Sequence, residues 1–202
     1  MPRAQPKPVA LPEDAIQPRD AAAWRRWLET HHASGKGIWL VTFKKDSGRT
    51  RIDYETAVEE ALCFGWIDSK PRALDAERSM LWFAPRKPKS GWSAPNKRRV
   101  EKLIAEGRMH AAGLAKVESA KHSGTWSALD AVEALEIPAD LAKALSAAKP
   151  AAANFDAFPR SVKRGILEWI ANAKKPETRA KRIEETATLA ARNERANQWR
   201  GR

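Results

Sequence analysis

Apolar residues recur along this chain with two different periods, and the change between them divides it. From Pro18 to Ala33, Trp24, Trp27, Leu28 and His31 fall at the i, i+3, i+4, i+7 spacing of one helical stripe, with His31 expected as a hydrogen-bonded core residue. The pattern stops at Ser34-Gly35-Lys36-Gly37. GIWLVTFKK, residues 37–45, is then rich in β-branched and aromatic residues and apolar on both alternating faces, which predicts a central strand closed by the turn Asp46-Ser47-Gly48. Asp53 is placed to N-cap a helix striped by Ala57, Val58, Ala61 and Leu62, and Gly65 stands where a left-handed C-cap belongs. WIDSKPRALD and AERSMLWFAP read as two strands paired antiparallel about a turn near residues 74–76.

Pro85 and Pro88 end the sheet region, and Ser93 N-caps a helix with Pro95 in its first turn. Val100, Leu103 and Ile104 are its buried stripe, and Gly107 stops it. Helical periods follow over 110–122, 126–134, 138–148, 150–157, 159–174 and 176–194. The fold class expected is α+β. A small antiparallel sheet of three or more strands is covered by helices over residues 18–124, and an all-helical region over 125–195 packs on it. Residues 1–17 read as a flexible proline-rich arm and 196–202 as a basic tail. After Pro176, Ala180, Ile183, Ala187 and Ala190 form a stripe expected to dock on the first domain.

Composition narrows the classes. Of 202 residues, 43% are hydrophobic and 31% charged, which is enough apolar content for a real core. No run reaches the roughly 20 apolar residues of a membrane span. The first 18 residues carry five prolines and no signal-peptide core, so a cytoplasmic protein is expected. The net charge of +12 favours encounter with anions (nucleic acid, an acidic lipid surface, an acidic protein), or is the ordinary surface of a basic protein. Cys63 is the single cysteine, so neither a disulfide nor a cysteine zinc cluster is expected. It falls in the last turn of its helix, where the dipole disfavours a thiolate, and reads as structural. His31 and His32 are adjacent, and His110 and His122 lack a partner at i+3 or i+4, so no metal site is expected. GxSxG, Walker A and GxGxxG patterns are all missing, which leaves no expected cofactor.

Strand alternation places Trp66, Asp68, Lys70 and Arg72 on one face, and Arg78, Met80 and Trp82 share a face in the next strand. Such a mixture is either a solvated ladder of ion pairs or the floor of a pocket. FAPRKPKSGWSAPNKRR, residues 83–99, adds Arg86, Trp92, Ser93, Asn96 and Arg99 around a helix start, and Asn96 lies on the buried stripe. Residues 78–108 hold nine Lys/Arg against two Asp/Glu. The candidate anion or ligand site is therefore Trp66, Asp68, Arg72, Arg78, Arg86, Trp92, Ser93, Asn96 and Arg99, and the competing reading is a solvated basic face. The same basic and aromatic positions, with nine more Lys/Arg over residues 174–202, would also suit a nucleic acid, although most tryptophans sit on apolar stripes.

These segments carry a family resemblance. EALCFGWIDSKPRALDAER, FAPRKPKSGWSAPNKRRVEKLIAEGRM, AAGLAKVESAK and WIANAKKPETRAKRIEETATLAARN together resemble the YdeI/OmpD-associated family, also labelled bacteriocin-protection proteins, from about Trp24 to Asn193. The matching positions are Cys63, Gly65, Trp66, Asp68, Arg72, Asp75, Arg78, Pro85, Arg86, Trp92, Ser93, Asn96, Arg99, Gly107, Arg108 and Met109. The chain departs from the family pattern at Trp82 and at His110-Ala111. The resemblance implies a part in bacteriocin protection, resistance to cationic antimicrobial peptides or association with an outer-membrane porin and supplies no reaction or catalytic residues; the reading preferred is a non-enzymatic protein of antimicrobial resistance or envelope stress. With the candidate pocket, it suggests a small anionic ligand or acidic protein partner. Nucleic-acid binding is the alternative, and an enzyme using Asp68 with Arg72, Arg78 and Asn96 is the third reading.

Overall fold

GIWLVTFKK does become an inner strand. The structure, a computed structural model, describes residues 9–198. In the first part of the chain, β1 (Ala15–Ile16), β2 (Ile38–Phe43), β3 (Trp66–Ala73) and β4 (Arg78–Pro85) form one sheet in the order β1-β2-β4-β3. β4 pairs antiparallel with both β2 and β3, so the two strands read from sequence meet as expected. β1 adds a short parallel edge to β2. It lies inside the segment expected to be a flexible arm. Two residues carry no detectable alternation, so this edge left no signal; residues 1–8 of the arm lie outside the described residues.

Four helices complete this part: α1 (Ala21–His31), α2 (Tyr54–Cys63), α3 (Ala94–Ala105) and α4 (Ala111–His122). Asp20 and Asp53 cap α1 and α2 through side-chain bonds to Ala23 N and Thr56 N. Ser93 occupies the N-cap position of α3 without a side-chain capping bond. His110 caps α4, accepting from Ala112 N at 3.2 Å. Trp24, Leu28, Val58, Leu62, Trp66, Phe83, Trp92 and Leu103 lead the first core. His31 does not join it. It is exposed and stacks on Trp27 at 4.4 Å, because the stripe turns away from the core at the helix end.

The chain divides into two compact units between Ser127 and Ala128. The second contains α5 (Asp130–Glu133), α6 (Ala139–Ala147), α7 (Ala151–Ala157), α8 (Arg160–Ala171) and α9 (Pro176–Ala191). Its own core gathers Leu141, Leu145, Phe155, Ile166, Ile170, Ile183, Ala187 and Ala190. Three members of the stripe expected to dock on the first domain are thus buried within the helical unit itself, where α9 packs on α6, α7 and α8. Ala196, the first residue assigned to the basic tail, is also buried in this core, and residues 199–202 lie outside the described residues.

Candidate functional site

CFGWID is first a crossing point of backbones. Gly65 takes φ +75°, reserved in practice for glycine, and turns α2 into β3. The Cys63 carbonyl accepts from His110 N at 3.0 Å, and the Gly65 carbonyl accepts from Arg86 N at 2.9 Å. α4 comes so close that a Cβ at Gly113 would stand 2.2 Å from the Cys63 oxygen, and one at Gly65 would stand 2.6 Å from Lys116 Cγ. Cys63 is buried, and desolvation followed by the Glu60 charge pushes its thiol pKa up against the opposing pull of Arg25. It is an inert packing residue, as its position in the last turn implies.

β3 does not carry its polar residues on one face. Asp68 is paired with Phe83, whereas Pro71 is paired with Leu81 and Arg72 with Met80. Between these pairs β3 advances one residue more than β4, a bulge at Ser69-Lys70. Directly opposed residues share a face, so the bulge sends Arg72 to the side opposite Asp68. Arg78 and Met80 are on that opposite side too, because they alternate evenly along β4. The recess expected from Asp68, Arg72, Arg78 and Asn96 together is therefore not formed.

Each expected residue has a definite place. Trp66 is fully buried and donates from Nε1 to the His32 carbonyl at 3.1 Å. Arg72 is exposed. Arg78 is buried and holds Asp75 through Nε at 2.8 Å, Gln17 at 3.1 Å and the Val9 carbonyl at 2.5 Å, so it ties the segment before α1 to the sheet. Those bonds to Arg78 keep the Asp75 carboxyl below the usual range. Arg99 clamps Glu55 with two bonds of 2.7 and 2.6 Å and donates to Asn96 Oδ1 at 2.7 Å, so the inward amide is satisfied within α3. Arg86 lies 3.7 Å from the centroid of the Trp92 ring.

What the sheet face bearing Asp68 does form is a cleft against the start of α2, of about 550 Å³. Leu40, Leu81, Ile52 and Ala57 supply apolar walls, and Thr42, Ser69, Ser79, Asp68 and Tyr54 supply polar groups. Tyr54 donates its hydroxyl to Asp68 Oδ2 at 3.0 Å. Burial, then the charge and hydrogen bond of Asp68, hold the Tyr54 pKa above its ordinary value, so the phenol stays a proton donor at neutral pH. Lys45 and Arg51 line the same cleft, both exposed and neither in an ion pair with a carboxylate among the described residues. Tyr54, Lys45 and Arg51 were missed in the sequence. Tyr54 is in phase with the apolar stripe of its helix, at i, i+3, i+4 and i+7 with Ala57, Val58 and Ala61, so period alone reads it as one more apolar-face residue; it is nevertheless exposed, and only its hydroxyl, at the position after the cap, could have flagged it.

A second polar assembly was missed as well. Glu59 and Glu60 of α2 are buried, and cations converge on them: Arg25 and Arg108 on Glu60, Lys102 and Arg108 on Glu59. Burial opposes the charge on Arg108, but its bonds to Glu60, Glu106 and Glu59 outweigh this and raise its pKa. The clasp fastens α1, α2 and α3 and is structural in character. It also removes cations from the basic stretch 78–108, where Arg78, Arg99, Lys102 and Arg108 all face carboxylates of the chain itself. No group of three or more potential metal ligands occurs among the described residues, and no helix there is long and apolar enough to cross a membrane.

Fold and cleft together define an α+β protein with a helical unit following it. Residues 16–116, half of the chain, match the model of a domain of unknown function (DUF8412), and residues 134–193 match that of the bacteriocin-protection, YdeI or OmpD-associated family. The chain belongs to the DUF8412 family through its α+β unit and is of the YdeI/OmpD-associated type through its helical unit. The resemblance drawn from CFGWID and GRM therefore falls in the first match, and the C-terminal helical signature falls in the second. No curated protein and no solved structure matches the chain.

Proposed function

We propose that this is a non-enzymatic, cytoplasmic binding protein whose α+β unit takes a small anionic molecule in the cleft between β2, β4, β3 and the start of α2. The observation that carries this reading is the Tyr54–Asp68 pair set into an apolar-walled space of about 550 Å³ with Lys45 and Arg51 on its lining. That volume suits a small organic ligand, since such sites span roughly 300–1,000 Å³ with few oriented polar groups. Apolar walls hold the ligand's body, Tyr54 and Asp68 orient it, and the two cations attract its charge. The chemistry of the cleft favours binding over catalysis. A tyrosine with a raised pKa is a poor base, and no activated nucleophile stands beside it.

The family description mentions bacteriocin protection. A chain of net charge +12 repels a cationic peptide, so a protective role is better served by binding an anionic cellular compound than by sequestering such a peptide. A thermal-shift screen of carboxylated and phosphorylated metabolites tests the proposal through mass-action stabilisation. The expected hit raises Tm in the native protein and loses that shift in Asp68→Asn, Tyr54→Phe and the cleft-filling Ser79→Phe. A shift that survives all three variants, or no anionic hit in the screen, overturns it.

A further inference from the structure

We propose a second and separate site: a narrow recess between the segment that follows β4 and α4, in which Arg86, Lys87 and Lys116 receive one oxyanion group, a carboxylate or a phosphate. Arg86 is 5% exposed, so the bulk of its side chain is withdrawn from water, and the guanidinium nitrogens that bond to no protein group keep what contact with solvent remains. Among the described residues its side chain makes one hydrogen bond, from Nη2 to the Gly91 carbonyl at 2.7 Å, and its face lies on Trp92. No carboxylate of the described residues comes within ion-pair distance of it. A buried guanidinium ordinarily sits against a carboxylate, because desolvating an unpaired charge is costly. Burial pulls the pKa of Arg86 down to about 10, and the more distant Asp68 compensates only in part.

The surroundings deepen the deficit of negative charge. Lys87, Lys116 and Ser119 line the same recess with Arg86 and Trp92, and they contribute two further cations and a hydroxyl donor. The space is about 30 Å³, room for only a few water-sized atoms, so it admits the oxygens of a single group rather than a whole metabolite. Its geometry is fixed from two directions. The Arg86 amide is held by the Gly65 carbonyl, and the stem of Lys116 lies against Gly65, where a Cβ would stand 2.6 Å from its Cγ. Arg86 can offer an oxyanion planar, forked donors, and Lys116 adds a point charge. Both are positioned by the same glycine turn.

The test uses the full chain and follows the Arg86 Nε–H resonance by nitrogen-15 NMR during titration with inorganic phosphate and, separately, acetate, against sodium chloride at matched ionic strength. A saturable displacement by phosphate or by acetate is expected, and which one acts identifies the class of group. Lys116→Gln should weaken that binding at least about tenfold, the loss of one charge-assisted contact. Tyr54→Phe should leave it unchanged, which separates this site from the cleft. Displacement that never saturates, displacement that chloride reproduces, or binding indifferent to Lys116→Gln overturns the proposal. Because Lys116 is only half-buried and outside the core, its variant keeps the test valid even if replacing Arg86 unfolds the protein.

Discussion

Gly113 shows how much one hydrogen atom can decide. A side chain there would meet the Cys63 carbonyl at 2.2 Å, and both partners are backbone, so neither can rotate away. Gly113→Ala should therefore force α4 off α2 and cost about 2–3 kcal/mol, in the range of overpacked cores. Urea unfolding measures this, and a loss below about 0.5 kcal/mol would contradict the close approach. The same contact shields Cys63. Its thiol is buried and its pKa raised, first by desolvation and then by Glu60, so iodoacetamide should label the native protein slowly and the urea-unfolded chain quickly. Rapid native labelling would mean that the α2–α4 corner opens. Helical period alone gave Gly113 no special weight, because a glycine inside an apolar stripe reads only as a mild helix breaker.

At the level of elements, what the sequence made legible was whatever depends on local period. The apolar stripes of α1 and α2, the burial of Val100 and Leu103 in α3, the cap at Asp53 and the antiparallel meeting of β3 with β4 all follow from spacing and turn chemistry, whereas Ile104, read as part of the α3 stripe, is exposed at the edge of that face. What was hidden depends on register. Alternation assumes an unbroken ladder, so it grouped Asp68 with Arg72, and the bulge separated them. Pro71 was the available sign, since proline lacks the N–H that a regular pairing needs and marks bulges and edges. The clasp on Glu59 and Glu60 was hidden for another reason. Buried carboxylates look like a solvated helix face until the distant Arg25, Lys102 and Arg108 are brought in by the fold. Arg108→Met should leave both carboxylates short of positive charge and destabilise the protein by about 2 kcal/mol. This is less than for a fully buried pair because the Arg108 side chain is 33% exposed. Adding Glu60→Gln should recover part of the loss in a double-mutant cycle, and strict additivity would show that the two residues do not interact. In the helical unit, Ile183→Asp would place a charge in the core of α6, α7 and α9, and an unchanged far-UV melting curve would refute that packing.

At the scale of the whole molecule, a group of carboxylates is committed to helix caps and to arginine partners. Asp20 and Asp53 have lowered pKa values because they accept backbone bonds at helix starts, Glu55 and Asp140 because Arg99 and Arg179 bond to them, and Asp75 because Arg78 does. In each case the folded pKa lies below the unfolded one, so the unfolded chain takes up the proton first and stability rises with pH through this range. Their contribution is complete above about pH 5, near the top of ordinary carboxylate titration, and is lost as pH falls through the folded values. Cys63 and Tyr54 act in the opposite sense. Burial raises both, so the unfolded chain ionises first and stability declines as pH climbs past about 8.5. The melting temperature should therefore be highest between these limits and fall on both sides. Acid also strips negative charge from a chain already at +12, which adds self-repulsion to the lost ion pairs. Salt screens that repulsion and weakens the exposed pairs at neutral pH, so added sodium chloride should raise Tm at about pH 4 and leave it flat or lower at about pH 7. Scanning calorimetry over a grid of pH and salt reads both effects, and a salt response of the same sign at the two pH values would show that repulsion, rather than the committed carboxylates, governs stability throughout.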